Sequence, residues 1–283
     1  MLGAAIAALL LASPALAKPP VWIVRDGDSE VVLFGSVHVL PPGLDWQPDA
    51  LKAALADADD LWFELPMDPA AEAQIAQIAQ ARGVMTIDKS LIAMLSPKGR
   101  ERLSRACMRF HLSPGLMDRF EPWLAEVALA SAQFRDAGAD AESGVEKTVQ
   151  AEAPAGAQRR AFETVEQQIE MFDGAPLADQ LASLEESLRE LDHDPKGYDR
   201  LVGAWMAGDV KGLEKDALEP LRKAAPEIYR RVVLDRNAAW TRALDARLKA
   251  GGRTAVVVGV GHLVGAGGVP ARLRALGYSV EGP

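Results

Sequence analysis

Two of the four histidines end the same four-residue pattern. Residues 35–38 read Gly-Ser-Val-His and residues 259–262 read Gly-Val-Gly-His. Each pattern follows an apolar segment with strand character, so His38 and His262 are predicted just beyond the carboxyl ends of strands, where α/β sheets form ligand sites. A glycine at such a point lets the backbone approach a ligand closely. The matched pair favours one shared site over the alternative, two unrelated histidines in tight turns.

A carboxylate occupies a comparable position. Glu64 lies in the apolar segment 61–65, directly before Pro66, and a carboxylate in apolar surroundings is costly unless it is paired or binds a metal. His38, Glu64 and His262 are therefore predicted ligands of a divalent metal ion with an open position for water, and manganese, cobalt or zinc fits such nitrogen and oxygen donors. The same groups also suit metal-free chemistry, with a histidine as base and Glu64 as its orienting partner.

The elements that must position these residues lie at both ends of the chain. Segments 21–25 and 30–34 predict a hairpin across the turn at 26–29, and a helix over 48–58 leads into a buried strand at 60–65. Such a crossover joins parallel strands. A strand at 254–258, a helix at 269–276 and a short strand at 278–280 close the chain. The prediction is an α/β fold with a mixed central sheet, built from N- and C-terminal strands around a large helical insert.

Helical periodicity fills that insert. It predicts helices over 69–82, 97–110, 122–137, 143–152, 164–172, 176–192, 198–207, 209–218 and 226–250. From spacing alone, the polar residues on these helices are interpreted as solvated or ion-paired helix faces. Cys107 lies on one of them, is the single cysteine, and is interpreted as a packing residue.

The net charge bears on the partners of the protein, and the first residues bear on its location. The formal charge of −9 gives no basic face for DNA or RNA, so no nucleic-acid partner is expected. Residues 2–17 carry no charge and end in Ala15-Leu16-Ala17, which predicts a secretory signal peptide over 1–17. An anchor helix is the alternative, but the apolar segment is shorter than the roughly 20 residues that a span needs. We expect a periplasmic or secreted single domain over 18–283, with no membrane span in the mature chain.

Beyond these patterns, the sequence resembles the TraB/GumN family, which is similar to the TIKI metalloproteases and to erythromycin esterase-like and ChaN-like proteins. The matching marks run in order along the chain: Gly35 to His38, Leu61 to Leu65, Pro122-Trp123, Gly144 to Glu146, Glu163-Thr164 with Glu166 and Gln167, Trp205 to Asp209, Arg236-Asn237 and Gly259 to Gly265. The chain departs from the family pattern at Gly156 to Arg160, where a Gly-Lys turn normally enters a strand.

The resemblance implies one cleft that looks like a metal-dependent peptidase site. It carries over to His38, Glu64, Arg236, Asn237 and His262, with Glu146 and Glu163 as second-tier candidates. The leading hypothesis is an exported metal-dependent hydrolase, a peptidase, in which Arg236 and Asn237 hold the substrate or an oxyanion. Its substrate would be a peptide or a small molecule. The alternatives are a metal-independent hydrolase of the erythromycin esterase type and a non-enzymatic periplasmic binding protein.

Overall fold

Five strands from the two ends of the chain and one strand from the insert form one mixed sheet. The computed structural model describes residues 18–283, so the predicted signal peptide over 1–17 lies outside the described residues. The strands are β1 (Val21–Asp26), β2 (Ser29–Ser36), β3 (Asp60–Phe63), β4 (Gln158–Ala161), β5 (Gly252–Gly259) and β6 (Ser279–Glu281). Their order is β4-β3-β5-β2-β1-β6. The predicted mixed sheet of N- and C-terminal strands is confirmed.

The central strands all point the same way. β5 pairs in parallel with β2 on one side and with β3 on the other, and β4 extends the parallel part beyond β3. β1 is antiparallel to β2 and β6, as the predicted hairpin requires. The crossover from β2 to β3 therefore joins parallel strands, as predicted, but the C-terminal strand β5 lies between them. As a result β2, β3 and β5 end at one common edge.

The helices pack around this sheet and form the insert. They are α1 (Asp49–Ala56), α2 (Pro69–Arg82), α3 (Leu91–Met94), α4 (Pro97–Arg109), α5 (Pro114–Met117), α6 (Pro122–Asp136), α7 (Val145–Glu152), α8 (Val165–Asp173), α9 (Leu177–His193), α10 (Gly197–Met206), α11 (Val210–Leu213), α12 (Glu219–Ala224), α13 (Pro226–Tyr229), α14 (Arg236–Leu248) and α15 (Val269–Ala275). Single 3₁₀ turns occupy Ala141–Ser143 and Val260–His262. Two π-helical segments, Glu214–Leu218 and Arg230–Asp235, connect α11 to α12 and α13 to α14.

Most predicted helices are confirmed to within one or two residues. The exceptions are the predicted helices 209–218 and 226–250, each of which contains a π-helical segment. The short helices α3, α5 and α12 were not predicted, because four to six residues are too few to show a helical period. β4 forms where the chain departs from the family pattern, so the departure in sequence does not remove the strand.

A large core surrounds the sheet, and a second one holds the insert together. The residues of β2 from Val31 to Phe34 are all buried, as expected for a strand covered on both faces. The second core joins α4, α6 and α9 through side chains such as Leu103, Leu129 and Leu184. Within residues 18–283, no helix combines the length and the apolar character that crossing a membrane would require.

One tryptophan of the insert fixes the end of β2. Trp205 on α10 is fully buried, and its indole Nε1 donates to the carbonyl oxygen of Gly35 at 2.7 Å. Its ring contacts Phe34 edge-on, with centroids 6.1 Å apart. The start of the first Gly-x-x-His pattern is therefore held by packing and by a buried hydrogen bond.

Candidate active site

The two Gly-x-x-His patterns meet where their strands end. Ser36 at the end of β2 lies opposite Gly259 at the end of β5. A Cβ atom on Gly35 would lie only 2.9 Å from the Cα of Val260, so a side chain at this position would force the two strand ends apart. The close packing of the two strand ends therefore explains the glycine at position 35.

Three of the predicted side chains converge on the second pattern. A point one bond from the Cα of Gly259, where a Cβ would sit, is 3.2 Å from Glu64 Oε1, 3.6 Å from His38 Nε2 and 3.7 Å from His262 Cδ2. Glu64 follows β3 directly, so β2, β3 and β5 each deliver one of these groups. The structure thus brings together His38, Glu64 and His262, from positions as much as 224 residues apart (262 − 38).

A buried guanidinium ties the site to the insert. Arg236 at the start of α14 donates through Nε to Glu163 Oε1 at 2.8 Å, and through Nη2 to Glu163 Oε2 at 3.0 Å and Glu64 Oε2 at 2.5 Å. Its Nη1 donates to His262 Nε2 at 2.9 Å and to the carbonyl oxygen of Val232 at 3.3 Å. A guanidinium has five N–H groups, and all five are directed at acceptors of the protein itself. In this arrangement Arg236 has no donor left for a substrate.

The partners of His262 fix its tautomer. The amide of Asn237 donates to the carbonyl oxygen of Gly267 at 2.9 Å, so its Oδ1 faces His262 Nδ1 at 2.6 Å as an acceptor. Nδ1 therefore carries the hydrogen, and Nε2 accepts from Arg236. Burial lowers the pKa of His262 to about 3, and the neighbouring Arg236 acts in the same direction. His262 is a neutral acceptor whose lone pair is already used.

Glu64 is held as a carboxylate. Burial alone would raise its pKa, but Arg236 and the backbone N–H of Gly259, which donates to Oε1 at 2.7 Å, hold the pKa well below its usual range. Charge-assisted bonds of this kind favour the ionised form. Glu64 therefore brings a fixed negative charge to the edge of the sheet.

A second carboxylate lies behind His38. Glu146, in the first turn of α7, accepts through Oε1 from the hydroxyl of Ser36 at 2.5 Å and from His38 Nδ1 at 2.6 Å. The Glu146 side chain is 11% exposed, whereas the imidazole of His38 is 63% exposed. The charge of Glu146 raises the pKa of His38 to about 9. With Nδ1 engaged by Glu146, Nε2 is the atom that His38 presents at the sheet edge.

The approach of α7 to His38 also depends on a glycine. Any Cβ on Gly144, which precedes α7, would collide with the carbonyl oxygen of His38. Gly144 thus lets the helix start close enough for Glu146 to reach the imidazole.

The whole described chain apart from its ends matches one family. The model of the TraB/PrgY/gumN family matches residues 20–282. The chain belongs to the TraB/PrgY/gumN family. No curated protein and no solved structure matches it. The resemblance proposed from the sequence motifs is confirmed for the family itself, and the wider kinship with TIKI-like, erythromycin esterase-like and ChaN-like proteins stays a prediction.

In this member of the TraB/PrgY/gumN family, the predicted three-ligand metal site does not fit the arrangement of the side chains. His262 Nε2, the atom that would bind the ion, accepts a hydrogen bond from Arg236 at 2.9 Å, and the cationic guanidinium would repel an ion placed there. Among the residues that the structure describes, no group of three or more His, Cys, Asp or Glu side chains is placed to hold a metal. His38 Nε2 and Glu64 Oε1 remain as two donor atoms, and a bound metal stays a prediction.

A pocket opens beside these groups. Its volume is about 210 Å³, and it is lined by His38, Phe63, Glu64, Leu65, Met67, Ala141, Glu146, Lys147 and Gln168. A larger pocket of about 450 Å³ lies at the opposite ends of β2 and β5, around the hairpin turn, and contains no histidine. The smaller pocket is the candidate substrate site because it alone of these two includes His38 and Glu64.

Three contributors to the site were not predicted from the sequence. Ser36 donates to Glu146, and Gln168 lines the pocket. Trp240, one turn after Arg236, donates to Glu163 Oε1 at 2.8 Å and packs on His262 with ring centroids 4.4 Å apart. The spacing of Trp240 from Arg236, four residues on one helix, is the signal that could have identified it.

Proposed function

We propose that this protein is a hydrolase of esters or amides in which His38 acts as the base toward water. The observation that carries the proposal is the pairing of His38 Nδ1 with the buried carboxylate of Glu146 at 2.6 Å, which leaves Nε2 at the pocket. A carboxylate in this position fixes the ring and favours the tautomer that can accept a proton at Nε2.

The reaction needs only groups that meet at this pocket. His38 Nε2 takes a proton from water, the water oxygen forms a bond to the carbonyl carbon, and the bond from that carbon to the leaving group breaks. His38 then returns the proton to the leaving oxygen or nitrogen. Glu64 Oε1 and His38 Nε2 both lie within 4 Å of the Cβ position of Gly259, so Glu64 Oε1 accepts a hydrogen bond from the attacking water. Arg236 and Glu163 act as positioning residues because they bind each other and other groups of the protein. His262 and the fully buried Asn237 act in the same way, since they bind each other, Arg236 and the Gly267 carbonyl.

A metal-dependent peptidase is the second candidate. It is favoured by the convergence of His38 Nε2 and Glu64 Oε1 near Gly259, with Glu146 behind the imidazole as an outer carboxylate. A manganese, cobalt or zinc ion would lower the pKa of bound water and polarise a carbonyl group. A third candidate, a periplasmic binding protein for a secreted peptide, would use the same pocket without turnover.

One experiment distinguishes these candidates. The mature protein is treated with a chelator and assayed on p-nitrophenyl esters and a peptide library, with and without added Mn²⁺, Co²⁺ or Zn²⁺. Hydrolysis that survives the chelator and is lost in His38→Ala supports the metal-free hydrolase. Hydrolysis only after metal is restored favours the metallopeptidase, and no hydrolysis under any condition favours the binding protein. His193→Ala, an exposed histidine of the insert that bonds to the Arg189 carbonyl, is the matched control.

We also propose export to the periplasm with cleavage after Ala17. N-terminal sequencing of the protein from its native host should begin at Lys18. An intact Met1 or Leu2 in the soluble cytoplasmic fraction would contradict both the signal peptide and the location. The proposal for the pocket does not depend on this result.

A further inference from the structure

A hydrolase needs a donor for the carbonyl oxygen of its substrate, and few side chains at the pocket can serve. Arg236 is excluded because its five N–H groups are used by the protein, as described above. Lys147 lines the pocket, but its ammonium group binds Glu142 at 2.5 Å and lies 3.7 Å from Glu72, and because neither carboxylate lines the pocket, they hold the ammonium group away from it. Gln168 is the other lining side chain with N–H groups apart from His38 itself.

Gln168 is held on a well-anchored helix. α8 begins with a capping box in which Thr164 and Gln167 bind each other's backbone, and its Val165 and Ile169 are buried. The amide Nε2 of Gln168 lies 3.4 Å from Glu64 Oε2, which is long for a hydrogen bond. At most one of its two hydrogens is engaged there, so the second is available to a ligand.

Glu64 also determines which way the amide faces. An ionised carboxylate can only accept, so it selects the orientation in which Gln168 presents its NH₂ group and turns its carbonyl oxygen away. Because Glu64 is buried and ionised, this orientation is fixed before a substrate arrives. Donors that are oriented in advance stabilise the charge that develops on a carbonyl oxygen.

Part of the pocket lining is apolar. Phe63, Leu65, Met67 and Ala141 form this part, and the volume of about 210 Å³ is small. These four apolar residues suit a short hydrocarbon chain and offer a charged group no partner.

We propose that the pocket takes the acyl part of an ester or amide with a short apolar chain, and that Gln168 donates a hydrogen bond to its carbonyl oxygen. This inference rests on the proposed hydrolase function. As water adds to the carbonyl carbon and His38 accepts its proton, the carbonyl π electrons move onto the oxygen that Gln168 binds. They return when the bond to the leaving alcohol or amine breaks, and His38 protonates that group.

The test compares Gln168→Met with the full chain on p-nitrophenyl butyrate. The substitution keeps the length of the side chain and removes both N–H donors. Loss of an oxyanion donor typically lowers kcat by about 100- to 1,000-fold, and we expect a fall of that size with KM changed by less than about threefold. Gln74→Met is the matched control, because Gln74 also bonds a glutamate, Glu166, but lies outside the pocket. Gln168→Ala provides a second variant if the methionine variant misfolds.

The acyl preference is tested with esters of one alcohol. p-Nitrophenyl butyrate should be hydrolysed at least about tenfold more efficiently, in kcat/KM, than the charged hemisuccinate of the same chain length. Equal rates for the two esters would overturn the apolar assignment, and an unchanged kcat in Gln168→Met would overturn the donor role.

A binding readout separates this inference from the proposed function. Propylphosphonate, in which phosphorus replaces the carbonyl carbon of a butyrate ester, mimics the tetrahedral anion, and calorimetry should show binding to the full chain that weakens at least tenfold in Gln168→Met. If the protein hydrolyses esters but Gln168→Met matches it in rate and phosphonate affinity, only this inference fails. If the protein neither hydrolyses esters or peptides nor binds the phosphonate, the hydrolase proposal fails and this one with it.

Discussion

Replacing Glu146 by glutamine removes a charge from behind His38 while keeping an acceptor for Ser36 and for His38 Nδ1. Glu146 is the largest cause of the raised pKa of His38, which moves from 6.5 to about 9. An opposite charge within 4–6 Å shifts a pKa by about 1–3 units. Because the imidazole is 63% exposed, water screens the pair, and we expect Glu146→Gln to lower the pKa of His38 by about one to two units.

The assay is an NMR titration of the four histidine rings in chelator-treated protein, with His38→Ala used to assign the resonance. This measurement needs no substrate, so it tests the electrostatics independently of the function. A fall of less than about half a unit would refute the reasoning, because the raised pKa would then have another cause. The pH profile gives a second check: since a base must be deprotonated, kcat/KM should rise as the pH passes through 9, and the rise should move to lower pH in Glu146→Gln.

The free energy of unfolding should also depend on the pair of His38 and Glu146. A raised histidine pKa contributes stability that is fully present below pH 6.5 and is lost as the pH rises through 9. The difference in unfolding free energy between the parent protein and Glu146→Gln should therefore shrink over this interval. A difference that grows with pH would contradict the assignment of the charged partner.

Two further substitutions test the buried framework. Arg236→Met leaves the carboxylates of Glu64 and Glu163 without their shared cation, so urea denaturation should show that the free energy of unfolding falls by about 3–5 kcal/mol. Arg230→Met, which removes an exposed ion pair with Glu227, is the control. A fall below about 1 kcal/mol in Arg236→Met would contradict the role of Arg236 in holding the two carboxylates. Gly35→Ala should cost about 1–3 kcal/mol and lower activity because its Cβ meets Val260. Gly203→Ala, in a helix with no atom within 4 Å of the new Cβ, should instead stabilise by about 0.5–1 kcal/mol; equal effects of the two alanines would rule out the packing explanation.

The strand ends of the site were predictable because their signals are local. The apolar segments before His38 and His262, and the one containing Glu64, each show a strand within a few residues, and the repeated Gly-x-x-His pattern marks where two of them end. The order of the strands had no such signal. β2 and β5 pair across more than 200 residues of sequence, and nothing local shows that β5 enters between β2 and β3.

The site residues of the insert were identified only through the resemblance to the family. Glu146 meets Ser36 across 110 residues, and Glu163 meets Arg236 across 73. In sequence each of these acids stands beside apolar residues on an ordinary helical or loop segment, so spacing favours a solvated or ion-paired face. Only the tertiary contacts show that the two carboxylates are nearly buried beside the site.

The helix that carries Arg236 shows why helical periodicity in the sequence does not predict which way the site residues point. The sequence predicts one helix over 226–250, but Arg230–Asp235 is π-helical and α14 starts directly after it. A π segment inserts an extra residue into the helical turn and so rotates every side chain that follows. Such segments occur often at functional sites, and here one precedes Arg236 and Asn237, which bind Glu64, Glu163 and His262.

The charges around His38 explain why both a proton and a metal ion are favoured at His38 Nε2. Glu64 and Glu163 bind the guanidinium of Arg236, Glu146 binds His38, and His262 is neutral, so these groups carry three negative charges against one positive charge before His38 is protonated. A proton on His38 reduces that excess, which is why its pKa is raised. A divalent ion between His38 Nε2 and Glu64 would reduce it too, but Nε2 can bind only one of them, so an ion must displace the proton. Because Arg236 already neutralises the inner oxygen of Glu64 and uses the lone pair of His262, the metal-free form needs no rearrangement, whereas a three-ligand metal site requires Arg236 to move.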